Sequence, residues 1–276
     1  MHERNFNDAV LILLGHGTDE NENSAAPVLQ HAAELRRRGI FAEVREAFWK
    51  QEPRIQRVLA CVSARRAFIV PLFISEGYFA GQVIPRALGF SGSSKIEIRN
   101  STVCYCRPVG THDRMTEVIL SRAREVLARF PFPRAPGKSE STLFIAGHGT
   151  EKNEDSREPV ERQARLIGGK GIYADVQPIF LEEAPRISDC YALARTRNLI
   201  VVPFFISDGL HTQEDIPVLL GESRERVEER LAAGQGSWRN PTERNGKLVW
   251  YSPAVGSAPE LAEVILERAR EASELL

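Results

Sequence analysis

We predict an α/β fold from two features of the sequence: strand-like apolar runs alternate with helix-like segments, and the whole pattern occurs twice. The 276-residue chain is 42% hydrophobic and 26% charged, a composition typical of globular proteins. Alternating strands and helices favour a parallel sheet with helices on both faces, joined by right-handed crossovers. The sequence therefore predicts two tandem α/β domains, each with a four-stranded parallel sheet.

The elements of each half follow from the length and pattern of its apolar runs. Short continuous apolar runs that end in turn signals predict buried strands, and longer amphipathic segments predict helices. In the first half the predicted elements are strand Ala9–Leu14, helix Ser24–Arg38, strand Phe41–Phe48, helix Pro53–Val62, strand Ala67–Ile74, helix Gln82–Leu88, strand Thr102–Arg107 and helix His112–Phe130. The second half is expected to repeat this order.

The repeat is visible as a gapless alignment of the two halves at a shift of 132 residues. It places the Gly-His-Gly-Thr motif at residues 15–18 on the same motif at residues 147–150, and it continues to Gly89 and Gly221. A period of this length indicates a duplicated domain rather than a solenoid. The predicted parts are a first domain at 1–130, a proline-rich linker at 131–140 and a second domain at 141–276.

The second half contains one insertion. Its Val-Gly-Ser segment at residues 255–257 matches Val-Gly-Thr at 109–111 with a shift of 146, so 14 residues have been added after Gly221. We expect the region 222–245 to begin as a charged helix and to form a surface excursion. The alternative is a flap over the functional site, in which Trp238 would offer an apolar contact.

Two histidines follow predicted strands of the second half. His148 comes directly after its first strand, and His211 follows its third. If the strand order is 2-1-3-4, both lie at the carboxyl ends of neighbouring strands, where ligands bind in open α/β sheets. Paired imidazoles suit a divalent metal or proton transfer near pH 7. The structural alternative is that they only form hydrogen bonds.

These residues belong to a recognisable set of motifs. The Gly-His-Gly-Thr motif at 147–150, together with Pro203–His211 and Asp215–Pro217, resembles the sirohydrochlorin chelatases. These are class II chelatases that insert cobalt or ferrous iron into sirohydrochlorin, for cobalamin or sirohaem. The resemblance covers nearly the whole chain and implies two tandem chelatase-like domains with metal chelatase (lyase) activity.

The resemblance also implies roles for single residues. It implies that His148 and His211 bind the metal and accept the pyrrole protons, and that Glu182, in a Phe-Leu-Glu sequence, is a catalytic carboxylate. Glu183 is a rival for that role. Asp215 is a weaker candidate.

The first half departs from this pattern. Its His16 matches His148, but Phe79 replaces His211, Lys50 replaces Glu182 and Val83 replaces Asp215. A phenylalanine cannot bind a metal or accept a proton. We therefore expect a degenerate first domain and an active site in the second, with His16 as a weaker candidate.

The resemblance and the composition also limit cofactors and partners. The expected ligands are the tetrapyrrole and a substrate metal, Co²⁺, Fe²⁺ or Ni²⁺, with no further cofactor. No ATP is implied, since no phosphate-binding glycine loop is present. Lys plus Arg number 36 and Asp plus Glu 37, which argues against nucleic-acid binding. No apolar run is long enough to span a membrane, and no signal peptide is evident. We expect a cytoplasmic protein, and a monomer is plausible because the tandem copies can pair.

Several alternatives stay open. Cys104 and Cys106 alternate along one strand and could bind a soft metal, although a buried pair is favoured. His31, on the first helix, is expected at the surface. The protein could also be a non-catalytic tetrapyrrole or metal carrier. A histidine phosphotransfer enzyme is disfavoured, because no arginine precedes His148.

Overall fold

The computed structural model describes residues 6–18, 24–90, 92–150 and 156–276. The start of the polar N-terminal segment, and the residues just after each Gly-His-Gly-Thr motif, lie outside this described part. The strands of the first half are β1 Phe6–Gly15, β2 Phe41–Phe48, β3 Arg66–Pro71, β4 Lys95–Ile98 and β5 Ser101–Tyr105, and its helices are α1 Ala26–Arg38, α2 Ile55–Ala60, α3 Ile84–Ala87 and α4 Met115–Arg129.

The second half repeats this order with one additional helix. Its strands are β6 Ser141–Gly147, β7 Asp175–Phe180, β8 Asn198–Pro203, β9 Thr242–Arg244 and β10 Lys247–Tyr251. Its helices are α5 Glu158–Gly168, α6 Cys190–Leu193, α7 Ile216–Leu219, α8 Arg224–Ala232 and α9 Leu261–Glu274.

The two sheets have the same topology. Their strand orders are β2-β1-β3-β5-β4 and β7-β6-β8-β10-β9, and only the last strand of each is antiparallel to its neighbour. The α/β class and the predicted order of the four parallel strands are confirmed. The number of strands per sheet is five rather than four, because β4 and β9 span only four and three residues, too few to produce a recognisable period in the sequence.

The central strands are buried on both faces. In β1 the side chains of Leu11 and Leu13 point to one face and those of Ile12 and Leu14 to the other, and all four are fully buried. Strands with helices on both faces show this continuous apolar pattern. The unbroken apolar runs at the starts of the two halves arise from this burial.

Each compact unit contains the last helix of the other sequence repeat: α9 belongs to the unit of the first repeat, and α4 to that of the second. One unit comprises residues 1–112 and 259–276, and the other comprises residues 113–258. Helix α4 therefore packs on β8, β10 and α5, while α9 packs on β3 and α1. The sequence-based boundaries follow the order of the chain and differ from these units. Because α4 and α9 are copies of one amphipathic helix, their sequences do not indicate which sheet each one covers.

Two equivalent buried arginines fix the exchanged helices. On α4, Arg122 donates to the Ala254 carbonyl at 3.0 Å and to the Ser257 hydroxyl at 2.7 Å. On α9, Arg268 donates to the Pro108 carbonyl at 3.1 Å and to the Thr111 hydroxyl at 2.7 Å. Burial lowers the pKa of Arg268. Each helix is thus tied to the loop that follows the last parallel strand of its own compact unit.

The insertion forms α8 and the segment that leads into β9. Glu222 is 5% exposed, and its carboxylate lies 3.8 Å from Arg226, 3.7 Å from Arg230 and 3.1 Å from Arg244. A carboxylate can be buried at this position because cations on α8 and β9 surround it. The insertion is therefore packed onto the domain.

Trp238 is buried, although its region was expected to form a surface excursion. It is 6% exposed and belongs to the core beside Tyr251. Its indole Nε1 donates to the Val249 carbonyl at 3.3 Å. The prediction of a surface excursion is wrong for this residue, because its large apolar ring completes the core around β10.

The prediction that His31 lies at the surface is wrong. This residue is only 1% exposed, because it lies on the buried face of α1 with Val28, Ala32 and Leu35. These positions follow the helical period.

No helix in the described part of the chain is long and apolar enough to cross a membrane.

The cysteine side chains differ strongly in their surroundings. Cys104, Cys106 and Cys190 are buried, and Cys61 is exposed. Among the described residues, no group of three or more His, Cys, Asp or Glu residues is placed to hold a metal ion. Burial raises the pKa of the Cys104 and Cys106 thiols, and that of Cys190 to about 12. Cys104 and Cys106 are therefore a buried pair with no third ligand among the described residues.

This difference predicts selective thiol chemistry. In the native protein, iodoacetamide at neutral pH should modify Cys61 and leave the three buried thiols intact, because the thiolate is the reactive form and must be accessible. Peptide mass spectrometry after short exposure would measure the modification. Equal labelling of Cys61 and Cys106 would contradict the described burial, and labelling in denaturant provides the control in which all four thiols react.

Candidate metal and proton-transfer site

The site begins at the carboxyl end of β6, where two glycines flank His148. A Cβ atom on Gly147 would lie 2.6 Å from the Val160 side chain, so this glycine allows α5 to approach the strand closely. Gly149 has a φ of +66°, a left-handed conformation that favours glycine. The two glycines together turn the chain sharply and leave His148 at the edge of the sheet.

The ring of His148 is oriented by its own loop. Its Nδ1 lies 2.7 Å from the Gly149 carbonyl oxygen. A carbonyl can only accept, so Nδ1 carries the hydrogen and Nε2 of the neutral ring keeps its lone pair. The side chain is 41% exposed. Nε2 is therefore the atom available to a metal or a proton.

His211 is held in the same tautomer by a carboxylate. It begins a π-helical turn, His211–Asp215, that follows the loop after β8, and such turns occur frequently at functional sites. Its Nδ1 lies 2.7 Å from the Asp215 carboxylate. A carboxylate behind an imidazole orients the ring and raises its basicity as a ligand. His211 therefore also keeps its Nε2 lone pair.

The structure brings the two predicted histidines together. The rings of His148 and His211 have centroids 4.9 Å apart and lie nearly perpendicular, at 85°. Phe205 contacts both, with its ring centroid 6.5 Å from that of His148 and 6.1 Å from that of His211. Two imidazoles beside one apolar ring form a compact donor pair at the edge of the sheet.

The structure distinguishes the two candidate glutamates. Glu182 Oε1 lies 3.8 Å from His148 Nε2, and the Glu182 side chain is 55% exposed. Glu183 instead accepts from the Thr150 amide at 3.2 Å and from Arg157 at 3.1 Å, and it is 14% exposed. Glu183 therefore braces the loop of His148, while Glu182 faces the paired rings. An open pocket of about 270 Å³ is lined by Glu182, His211 and Asp215.

The first domain keeps the loop and the first histidine of this site but lacks its second histidine and its carboxylates. His16 Nδ1 lies 2.8 Å from the Gly17 carbonyl, as in the second domain. Its neighbour is Phe79, with ring centroids 5.3 Å apart, and Phe79 in turn meets the edge of Trp49 at 5.7 Å. Lys50 donates its backbone N–H to the His16 carbonyl oxygen, as Glu182 does to that of His148. A cluster of aromatic rings beside His16 thus replaces the histidine pair.

Asp208 has a positioning role that sequence reasoning missed. Its carboxylate accepts from the Ala254 amide at 2.8 Å and from the Ser257 hydroxyl at 2.9 Å. It thereby ties the segment between β8 and His211 to the loop after β10. Asp208 lies within the motif quoted above, but its partners are far along the chain, so no local signal could identify them.

Asp215 supports a prediction about the orientation of His211. Asp215→Asn should lower the metal affinity of the site by about 10–100-fold, because the amide cannot stabilise the imidazole as a carboxylate does. Isothermal titration with Co²⁺ would measure this affinity. Val83 occupies the equivalent position in the first domain, so Val83→Ala serves as the matched control. An unchanged affinity in Asp215→Asn would show that this carboxylate does not support a metal ligand.

The two sheets have the fold expected of tandem chelatase-like domains, and comparison with known proteins identifies the family. A family model named CbiX matches the chain twice, at residues 10–126 and 142–272. The chain belongs to the CbiX family, which confirms its resemblance to the sirohydrochlorin chelatases. A probable sirohydrochlorin cobaltochelatase of Halobacterium salinarum is 40% identical over 278 residues, covering 95% of this chain and 91% of the relative.

Further relatives resemble one half or the whole of the chain. A sirohydrochlorin cobaltochelatase of Methanopyrus kandleri is 27% identical over 138 residues, which cover 47% of this chain and 95% of the relative. A multi-domain Deinococcus radiodurans protein with structural similarity to chelatases has a TM-score of 0.76 and 27% identity over 95% of this chain, which spans 54% of that protein. SirB from Bacillus subtilis, solved with Fe³⁺, has a TM-score of 0.68 and 18% identity, covering 96% of this chain and 95% of SirB; it shares the fold.

Proposed function

We propose that this protein inserts a divalent metal ion into sirohydrochlorin, and that insertion takes place at His148 and His211 of the second domain. The observation that carries the proposal is the pair of rings 4.9 Å apart, each with its Nδ1 tied to an acceptor. Two neutral imidazoles bind a divalent metal and later accept protons. No further cofactor is needed for this chemistry.

Metal binding would use the two Nε2 lone pairs. Two nitrogen ligands leave several coordination positions of the ion to water and, later, to the pyrrole nitrogens of the substrate. The described residues contain no larger group of metal ligands. Weak, incomplete coordination of this kind suits a metal that must be released into the macrocycle.

Proton transfer would follow from metal transfer. Insertion of a dipositive ion displaces two protons from the pyrrole nitrogens. As the metal leaves, the Nε2 atoms of His148 and His211 are vacated and can each accept one proton. Glu182 beside His148 and Asp215 beside His211 stabilise the imidazolium rings that result. Water then removes the protons through the open side of the site.

We propose Co²⁺ as the preferred metal, with cobalamin biosynthesis as the corresponding pathway, because the relatives from Halobacterium and Methanopyrus bear cobaltochelatase names. Imidazole also accepts Fe²⁺ and Ni²⁺. The test is to incubate the purified protein with sirohydrochlorin and each metal in turn, following tetrapyrrole absorbance against protein-free controls. Co²⁺ should give the largest acceleration. A larger acceleration with Fe²⁺ would favour sirohaem instead, and no acceleration with any metal would overturn the proposed insertion.

The proposal predicts that metal and protons compete for the same nitrogens. Lowering the pH should reduce the insertion rate, because an imidazole protonated at Nε2 cannot bind a metal. Raising the Co²⁺ concentration should move this acid decline to lower pH. Insertion rates measured against pH at two Co²⁺ concentrations would test this competition. Identical acid declines at both concentrations would mean that the two histidines do not bind the metal.

A further inference from the structure

A large cavity of the second compact unit lies beside the turn that carries His211. It has a volume of about 610 Å³ and is lined by the end of α4, by residues 235–240 and by the start of the loop after β10. Cavities of this size accommodate small ligands. Residues 235–240 lie in the region 222–245, just before β9.

The charged groups of this cavity are mostly cationic. Arg129, Arg230 and Arg239 all line it. Within the described part of the chain, Arg230 is close to Glu222, at 3.7 Å, whereas neither Arg129 nor Arg239 forms an ion pair. The guanidinium of Arg129 lies 5.3 Å from the Phe130 ring centroid. Two arginines therefore face the cavity region with their charges uncompensated by a carboxylate.

The two acidic residues in the lining do not neutralise these arginines. The Asp208 carboxylate is occupied by the Ala254 amide and the Ser257 hydroxyl. Glu125 is paired with Arg122 at 2.5 Å. The cavity therefore favours an anion. Arginine is suited to carboxylates in particular, because its planar fork donates two parallel hydrogen bonds to them.

The cavity and the histidine site share one helical turn. Thr212 and Gln213 line the cavity, while His211 and Asp215 line the smaller pocket that also contains Glu182. A macrocycle centred at the histidines carries its carboxylate arms around its rim. The shared turn therefore lies between the arginine-lined cavity and the pocket that contains His211.

We propose that this cavity binds a peripheral carboxylate arm of the tetrapyrrole, through Arg129 and Arg239. The inference rests on the proposed function for its ligand. It assigns a role to the segment before β9: residues 235–240 close one side of a carboxylate subsite that orients the macrocycle over the paired histidines. A free inorganic anion would satisfy the same chemistry, so the experiment separates the two sources.

The test measures tetrapyrrole binding and metal insertion separately. Arg129→Gln and Arg239→Gln should each raise the Kd for metal-free sirohydrochlorin, and its KM, by about tenfold, because each removes a charge-assisted hydrogen bond. The KM for Co²⁺ and kcat should stay within about twofold. Arg124→Gln is the matched control, since it removes the same charge from an exposed position on α4 that does not line this cavity, and its Kd should remain that of the wild type.

The outcomes are distinguishable. An unchanged sirohydrochlorin Kd in both variants would overturn the inference. Inorganic phosphate that binds in an arginine-dependent way without competing with sirohydrochlorin would also overturn it, by showing that the cavity takes a free anion. If the wild type failed to insert metal but its tetrapyrrole affinity still depended on Arg129 and Arg239, the proposed function would fail and the carboxylate subsite would stand.

Discussion

His211→Ala is expected to reduce metal insertion by at least about 100-fold, because it removes a metal ligand and a proton acceptor in one change. His148→Ala should have a similar effect. Neither variant should lose much stability, since the two side chains are 45% and 41% exposed and surface substitutions usually change stability little. Insertion rates with Co²⁺, together with thermal unfolding of each variant, would separate loss of chemistry from loss of fold.

His16→Ala is the matched control for these variants. His16 has the same loop and the same Nδ1 hydrogen bond as His148, but its ring neighbour is Phe79. We therefore expect His16→Ala to retain most of the insertion rate. If His16→Ala were as damaging as His148→Ala, the first domain would have to take part in catalysis, and the assignment of the site to the second domain would be wrong.

Gly256→Ala is expected to destabilise the protein by about 3 kcal/mol, the upper end of the usual cost of overpacking. A Cβ atom at this position would lie 1.7 Å from the Ile206 carbonyl oxygen, so the backbone must move. Ile206 follows Phe205, which contacts both site histidines. The folded fraction should therefore also lose insertion activity. Urea unfolding would measure the free energy change.

Substitutions at two other glycines serve as controls for this prediction. Gly236→Ala should be nearly neutral, because the nearest atom to a new Cβ would be 3.8 Å away. Gly110→Ala, the equivalent change in the first domain, would place a Cβ 2.2 Å from the Ile74 carbonyl oxygen. It should destabilise the protein without displacing Phe205. A Gly256→Ala protein as stable as Gly236→Ala would contradict the close approach of these two loops.

Much of the fold could be predicted because the chain repeats itself. Each half supplies an independent copy of the same pattern, and continuous apolar runs such as that of β6 arise from strands buried on both faces. The antiparallel edge strands could not be predicted, because three or four residues are too few to show a period. The exchange of α4 and α9 could not be predicted either, because two copies of one helix fit two copies of one sheet equally well.

The site was predictable to the extent that it follows strand ends. His148 and His211 were identified because parallel strands deliver their following residues to one edge of the sheet. The sequence does not show whether Glu182 or Glu183 faces the histidines, because adjacent side chains point in different directions. The structure shows that Glu183 pairs with Arg157, which leaves Glu182 at the site. Asp208 was missed because its two partners lie more than forty residues away in sequence.

We expect this protein to turn over as a chelatase rather than to carry a tetrapyrrole or a metal. The most direct measurement uses protein at a small fraction of the sirohydrochlorin concentration, with excess Co²⁺, and follows product by absorbance against the spontaneous reaction. We predict that product will exceed the amount of protein many times over, at a rate proportional to protein. Product that stops at one equivalent of protein, or that forms at the spontaneous rate, would contradict the claim and identify a carrier.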